Sequence, residues 1–239
     1  MAAGLNGERI SPVRLATWNC CKDGATKLPV LLAESHPDIA VLPEFGSHPA
    51  VAPQGLECVL LSAGVPGERG LAVAAFGDWT ISVADLTGPF PPTLLPVEVA
   101  GPRPFRLLAV WANLSPARAA HPVVEFAEAH QEWFEGPVVV AGDFNTGGVW
   151  HGLRPGLDHY TVVAALEKLG LCSGYHHDRG VEQGKEPEPT FWMYRKEDRP
   201  HHLDHVFVPV SWPIASVTVG GFDQWSQYSD HAPMVADIG

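Results

Sequence analysis

At 239 residues, with 46% hydrophobic and 18% charged residues, the chain has room for one large α/β domain and is short for two full enzymatic domains. A formal charge of -12, from 15 Lys+Arg against 27 Asp+Glu, excludes a protein that grips long nucleic acid through a broad basic face, because such binding scales with the phosphates neutralised. The 24 Gly and 23 Pro recur without a period, which excludes a collagen-like chain and marks many turns between short elements.

Residues 1–12 are expected to be an N-terminal tail and residues 13–239 a single domain. Glu8 and Arg9 break the apolar run that a secretory signal needs, and no window reaches the ~20 apolar residues of a membrane span. Short apolar runs bounded by Gly, Pro and Asp predict strands over 13–18, 38–42, 56–61, 70–76, 106–114, 137–142, 203–208 and 234–238. Helical spacing falls between them, over 26–36, 121–134 and 159–170. In the second of these, Val123, Phe126, Ala127, His130 and Phe134 share one face while Glu125, Glu128 and Glu132 lie elsewhere. The polar, proline-bearing stretch 174–192 predicts a surface loop. Cys20, Cys21, Cys58 and Cys172 have no C-x-x-C spacing, so free thiols in a reducing, cytoplasmic setting are expected.

Most strand ends carry Gly, Pro or Ser, but five carry groups suited to a hard cation or a phosphate. These are Asn19, Glu44, the Asp143/Asn145 pair, Asp204, and Asp230 with His231. Each alone reads as a turn, cap or solvated residue. Together they change the odds, because strand ends in a packed α/β domain converge on one edge. Hydrolysis of a phosphate ester needs a cation on the phosphoryl oxygens, a base for water, a donor to the non-bridging oxygen and relief for the leaving group. This set can supply all four.

The fragments "TWN", "PEF", "AGDFN", "LDHVF" and "SDHAP" occur in that order along nearly the whole chain, and the pattern resembles the endonuclease/exonuclease/phosphatase superfamily. The resemblance implies a four-layer α/β/β/α sandwich with two packed, mostly antiparallel sheets. It implies that Glu44 is the principal ligand of Mg²⁺ or Mn²⁺, with Asn19 and Asp230 near the metal and its water. It implies that Asp143 orients or deprotonates the attacking water, that Asn145 donates to the phosphate, and that Asp204 pairs with His231. Two positions depart from the family pattern. Asn113 stands where relatives carry His or Tyr, and an amide can bind phosphate but cannot titrate. His202 stands where many relatives carry Arg, so a permanent cation there would become one that fades with rising pH; the plain alternative is that His201 and His202 are a pair of exposed histidines and His205 an inward ring of the strand. A zinc site from His201 and His202 is disfavoured, since they point to opposite faces of an extended chain.

Phe191 resembles a sugar-pocket residue of abasic-site endonucleases, although His201 occupies the place where those enzymes carry Trp. Trp192 beside it, with Trp111, Trp150 and Trp225, could stack on a base, but the apolar surroundings of Trp111 and Trp192 favour core packing. Arg69 is a candidate phosphate contact, with a surface salt bridge as the alternative. The leading expectation is a metal-dependent phosphodiester hydrolase, a nuclease on DNA or RNA, monomeric by default. The alternatives are a phosphomonoesterase or a lipid or small-molecule diesterase, and, from another class, a non-catalytic binding module of the same fold. The acidic balance favours small substrates.

Overall fold

The computed structural model describes residues 12–87, 91–112, 120–150 and 158–239. In chain order the elements are β1 (Val13–Thr17), α1 (Gly24–Ser35), β2 (Ile39–Ser47), β3 (Val59–Ala63), β4 (Arg69–Ala75), β5 (Thr80–Val83), β6 (Leu94–Ala100) and β7 (Phe105–Trp111). They continue with α2 (Pro122–Ala129), β8 (Val138–Asp143), α3 (His159–Lys168), β9 (Leu171–Ser173), α4 (Gly174–Arg179), β10 (Phe191–Trp192) and β11 (Pro200–His201). The chain closes with β12 (Asp204–Pro209), β13 (Ile214–Val219), α5 (Phe222–Trp225) and β14 (Met234–Ile238).

Two six-stranded sheets carry the molecule, ordered β13-β14-β1-β2-β4-β3 and β5-β6-β7-β8-β12-β9. Each has one parallel pair near its centre, β1 with β2 and β7 with β8, and is otherwise antiparallel. The inward residues of both sheets, among them Leu15, Val41, Val73, Leu107, Val139 and Val206, form one core between them. Against the outer face of the first sheet, Leu28 and Leu31 of α1 and Trp225 of α5 pack on Trp18, Ala40 and Leu42. Against the outer face of the second, α2 and α3 supply Val123, Phe126, Val162 and Leu166 to a third cluster with Val138, Val140 and Phe207. This is the expected four-layer sandwich.

The pattern of each strand follows its layer. The run Val138–Ala141 is buried on both faces of β8, as a central strand between two covered layers requires. By contrast, β14 alternates buried and half-buried residues. Six strands, β5, β6, β9, β10, β11 and β13, were not legible as apolar runs. In β6, Pro96 interrupts the run, yet it lies one residue beyond the β5 ladder, where no N–H is required.

Two expectations are corrected. The stretch 174–192 is not a plain surface loop: it begins with α4, whose Tyr175 is fully buried and His176 nearly so. Its polar residues satisfy one another, with Tyr175 Oη on Glu188 at 3.1 Å, Arg179 Nε on Glu188 at 2.8 Å and His176 Nε2 on Glu186 at 2.9 Å. Nor does β2 stop at Leu42. It continues to Ser47 through an irregularity between Leu42 and Gly46 that contains Glu44.

Candidate active site

At one end of the sandwich the central strands of both sheets bring their terminal polar residues together. Asp143 closes β8 and Asp204 opens β12, and the two are direct cross-strand partners. Like charges placed opposite each other repel, so this register needs a compensating cation. His231, just before β14, supplies it: its Nδ1 lies 2.7 Å from Asp204 Oδ2. The three side chains are almost fully buried, with ligand-type atoms within 4.8 Å of one another.

Asn19 links this group to the first sheet. Its Nδ2 donates to Asp143 Oδ2 at 2.9 Å and to Glu44 Oε1 at 3.2 Å, while its Oδ1 accepts from the Cys21 N–H at 2.9 Å. Glu44 has φ 53, a left-handed conformation in the irregular part of β2 that turns its carboxylate toward Asn19. Three backbone bonds, from Trp18 to Val41, Cys20 to Pro43 and Lys22 to Glu44, lay the Asn19 segment alongside β2. Asn145 also has a left-handed φ, 49. From there its backbone N–H reaches Asp143 Oδ1 at 2.8 Å and its Nδ2 reaches Asp143 Oδ2 at 3.0 Å. Phe144, between them, is buried in the outer core, as strand alternation requires.

Electrostatics follow from this crowding. Burial raises the Asp143 carboxyl well above its ordinary value; the His231 cation opposes the shift, Asp204 adds to it, and the Asn19 and Asn145 donors oppose it. Burial by itself would lower His231, but the charge and hydrogen bond of Asp204 prevail and hold the ring up at about 9. Asp204 Oδ1 is buried without a hydrogen-bond partner.

The remaining candidates divide. Asp230 is half-buried at the rim, 3.5 Å from Ser229 Oγ, with its backbone carbonyl accepting from Trp192 N–H at 2.8 Å. Arg69 pairs with the Glu44 carboxylate. Phe191 lies against the His231 ring, with centroids 4.7 Å apart, and His201 stacks on its other side at 6.0 Å. His202 is not at this surface. It is buried, with Nδ1 on the Glu188 carbonyl at 2.8 Å and its ring beside Tyr175 and His205, and burial lowers its pKa; it cannot serve there as an exposed cation. Trp192 is buried against Phe222 in the outer core and offers no stacking face to a substrate. Asn113 lies outside the described residues. Gly142 is required by its neighbouring strand: a Cβ there would stand 1.9 Å from the Val110 carbonyl oxygen.

Two residues that sequence patterns passed over hold the site together. Thr190 Oγ1 accepts from the N–H groups of Leu203 and Asp204 at 2.9 and 3.0 Å. Ser229 Oγ donates to the Asn19 carbonyl at 2.7 Å and accepts from the His231 N–H at 3.1 Å, joining the two halves. The only signal for either was adjacency to a motif residue, in "PTF" and "SDH".

A double sheet that gathers carboxylates, amides and one charged histidine at its strand ends defines a class of α/β sandwich hydrolase. The model of the Endonuclease/Exonuclease/phosphatase family matches residues 16–231, and the chain belongs to that family, whose members hydrolyse phosphoester bonds. Among solved structures, the chain is similar to an AP endonuclease from Archaeoglobus fulgidus (TM-score 0.68, 17% identity, covering 94% of this chain and 98% of that one). It is similar to the AP endonuclease LMAP from Leishmania major (TM-score 0.71, 13% identity, 95% and 87% covered). It is also similar to the 3' phosphatase NExo from Neisseria, solved with product DNA hairpin (TM-score 0.63, 21% identity, 95% and 99% covered). At these identities the likeness is one of fold. A search of curated proteins returned no match.

Proposed function

We propose that residues 13–239 form one catalytic unit, a metal-dependent phosphodiester hydrolase with nuclease activity on DNA or RNA as its leading substrate class. The observation that carries this is the convergence of Asp143, Asn145, Asp204, His231, Asn19 and Glu44 on one edge, with the His231–Asp204 hydrogen bond at its centre.

A divalent ion fits this site. Four carboxylates, Glu44, Asp143, Asp204 and Asp230, face two cationic side chains, His231 and Arg69, and Asp204 Oδ1 is buried without a partner. Oxygen donors of this kind suit Mg²⁺ or Mn²⁺. Glu44 and Asp230, at the more open rim, would hold the ion, which when bound offsets charge on the phosphoryl oxygens. Asn19 is better read as a positioning residue than a ligand, because its Oδ1 is taken by Cys21 and its amide hydrogens by Glu44 and Asp143.

The chain's own residues supply the rest. Asp143, aligned by three N–H donors, accepts a proton from the attacking water. His231 gives one ring N–H to Asp204 and keeps the Nε2–H for a phosphoryl oxygen. Asn145 spends one amide hydrogen on Asp143 and has a second for the phosphate. Phe191 beside His231 makes an apolar wall for the group attached to the phosphate. The similar structures that act on or bind DNA support the nuclease reading.

The net charge of -12 supports a second reading, hydrolysis of small phosphate esters. Plasmid, single-stranded DNA, RNA, sphingomyelin, inositol phosphates and a bis-aryl phosphate, each with Mg²⁺ and Mn²⁺, separate the two. Cleavage of nucleic acid is the expected result, and turnover of the small esters alone would sink the nuclease assignment.

A further inference from the structure

Two buried histidines outside the reacting groups grip the backbone on either side of Asn145. His121 precedes α2 and is fully buried. Its Nδ1 accepts from the Val123 N–H at 3.2 Å, which puts the ring proton on Nε2, and Nε2 donates to the Phe144 carbonyl at 3.0 Å. His205 on β12 is likewise fully buried; its Nε2 donates to the Thr146 carbonyl at 3.2 Å, and its Nδ1 is without a hydrogen-bond partner, as the bare nitrogen of the same tautomer would be.

The two carbonyls bracket the one residue, Asn145, that must hold a left-handed φ for both its N–H and its Nδ2 to reach Asp143. The Phe144 ring lies between the same two imidazoles, with centroids 6.0 Å from His121 and 5.3 Å from His205. Thr146 is held again through its hydroxyl, which meets His159 Nδ1 at 3.2 Å. Burial beside His159, His202 and His176 lowers His205 well below its ordinary pKa, so it donates as a neutral ring.

We propose that His121 and His205 are positioning residues for the reaction, clamping the carbonyls of Phe144 and Thr146 so that the turn between them aims Asn145 at Asp143. The proposal rests on the reading of Asp143 and Asn145 as reacting groups. It differs from simple core filling in one respect: it needs the N–H donor as well as the ring.

His205→Phe keeps the ring and removes the donor, whereas His205→Gln restores an amide N–H near the Nε2 position. On a bis-aryl phosphate with Mn²⁺, His205→Phe should lower kcat roughly 10- to 100-fold with little change in KM, since a small misplacement of a catalytic group acts on turnover. His205→Gln should recover most of the loss. In an Asn145→Ala background, which loses the Nδ2 bond to Asp143 but keeps the backbone N–H, the His205→Phe change should cost less than it does in the wild type.

Two readouts do not depend on turnover. The nitrogen-15 spectrum of histidine-labelled protein should show both rings as Nε2–H tautomers, and amide exchange across 144–146 should accelerate in His205→Phe but not in His205→Gln. An Nδ1–H tautomer at either ring, or a His205→Phe protein with unchanged kcat and exchange, overturns the proposal. If His205→Phe fails to fold, the same pair of substitutions at His121 and the wild-type spectrum decide it. If the wild type hydrolyses no phosphate ester, the functional reading fails while tautomer and exchange still test the clamp.

Discussion

In the proposed reaction, Asp143 and His231 make opposite demands on pH. Asp143 must be ionised to take a proton, and burial together with Asp204 raises its pKa above the ordinary 3.8. His231 must be protonated to donate to the phosphate, and Asp204 holds it charged up to about 9. Activity should therefore fall as pH drops through the raised Asp143 value and fall again as pH rises through about 9, a bell in kcat/KM measurable on a bis-aryl phosphate. Asp204→Asn should move the alkaline limb down toward the ordinary histidine value of 6.5, since the stabilising charge is lost. Asp143→Asn and His231→Ala should each lower kcat by about 10²–10⁴-fold with the melting temperature largely kept. Near-normal turnover in either would refute these assignments.

The pairing of β7, β8 and β12 sets the spacing of these groups, and it depends on Gly142. Gly142→Ala would drive a methyl into the Val110 carbonyl, a backbone atom that cannot step aside, at a cost of about 3 kcal/mol or more in denaturant unfolding. The histidines behind β12 form a second unit. Burial lowers the pKa values of His159, His202 and His205, so at acid pH the unfolded chain binds protons that the folded one refuses. Stability should fall as pH drops below their ordinary 6.5, and His202→Phe should flatten that stage of a melting-temperature profile. Glu186 titrates later. Burial opposes its charge, but bonds from His176 and the Gly184 N–H hold its pKa at about 2, so its contribution is present above 4.5 and is lost as pH falls toward about 2.

Across the molecule, a net charge of -12 surrounds a site proposed to take anionic esters. Polyanionic substrates should bind better as salt is raised from low ionic strength toward ~0.15 M, where interactions beyond ~8 Å are screened, while KM for a small neutral-flanked ester stays nearly flat. A basic nuclease would show the reverse slope. Mg²⁺ or Mn²⁺ at ~100 times its Kd should add about 2.7 kcal/mol to stability, seen as a rise in melting temperature that Glu44→Gln abolishes. Among the described residues no helix is long and apolar enough to cross a membrane.

The apolar runs of β1, β4, β8 and β14 and the motifs around Asn19, Asp143, Asp204 and His231 are local patterns, readable because a strand's burial and the polar residue at its end lie within a few positions of each other. From them the sequence by itself indicated a layered α/β domain, and through its resemblance to the family it indicated the sandwich and most residues of the candidate site. Only the tertiary structure decided the rest: that Glu44 sits in an irregular stretch within a longer strand, that His202 turns into a ring cluster, that Trp192 is core, and that Gly142 makes room for a carbonyl. Each of these depends on an atom far away in the chain, such as Gly70 opposite Gly46, the Glu188 carbonyl, Phe222 or Val110. The same holds for Thr190, Ser229, His121 and His205, whose residue types are ordinary and whose roles arise only when the folded backbone brings a donor or acceptor to them.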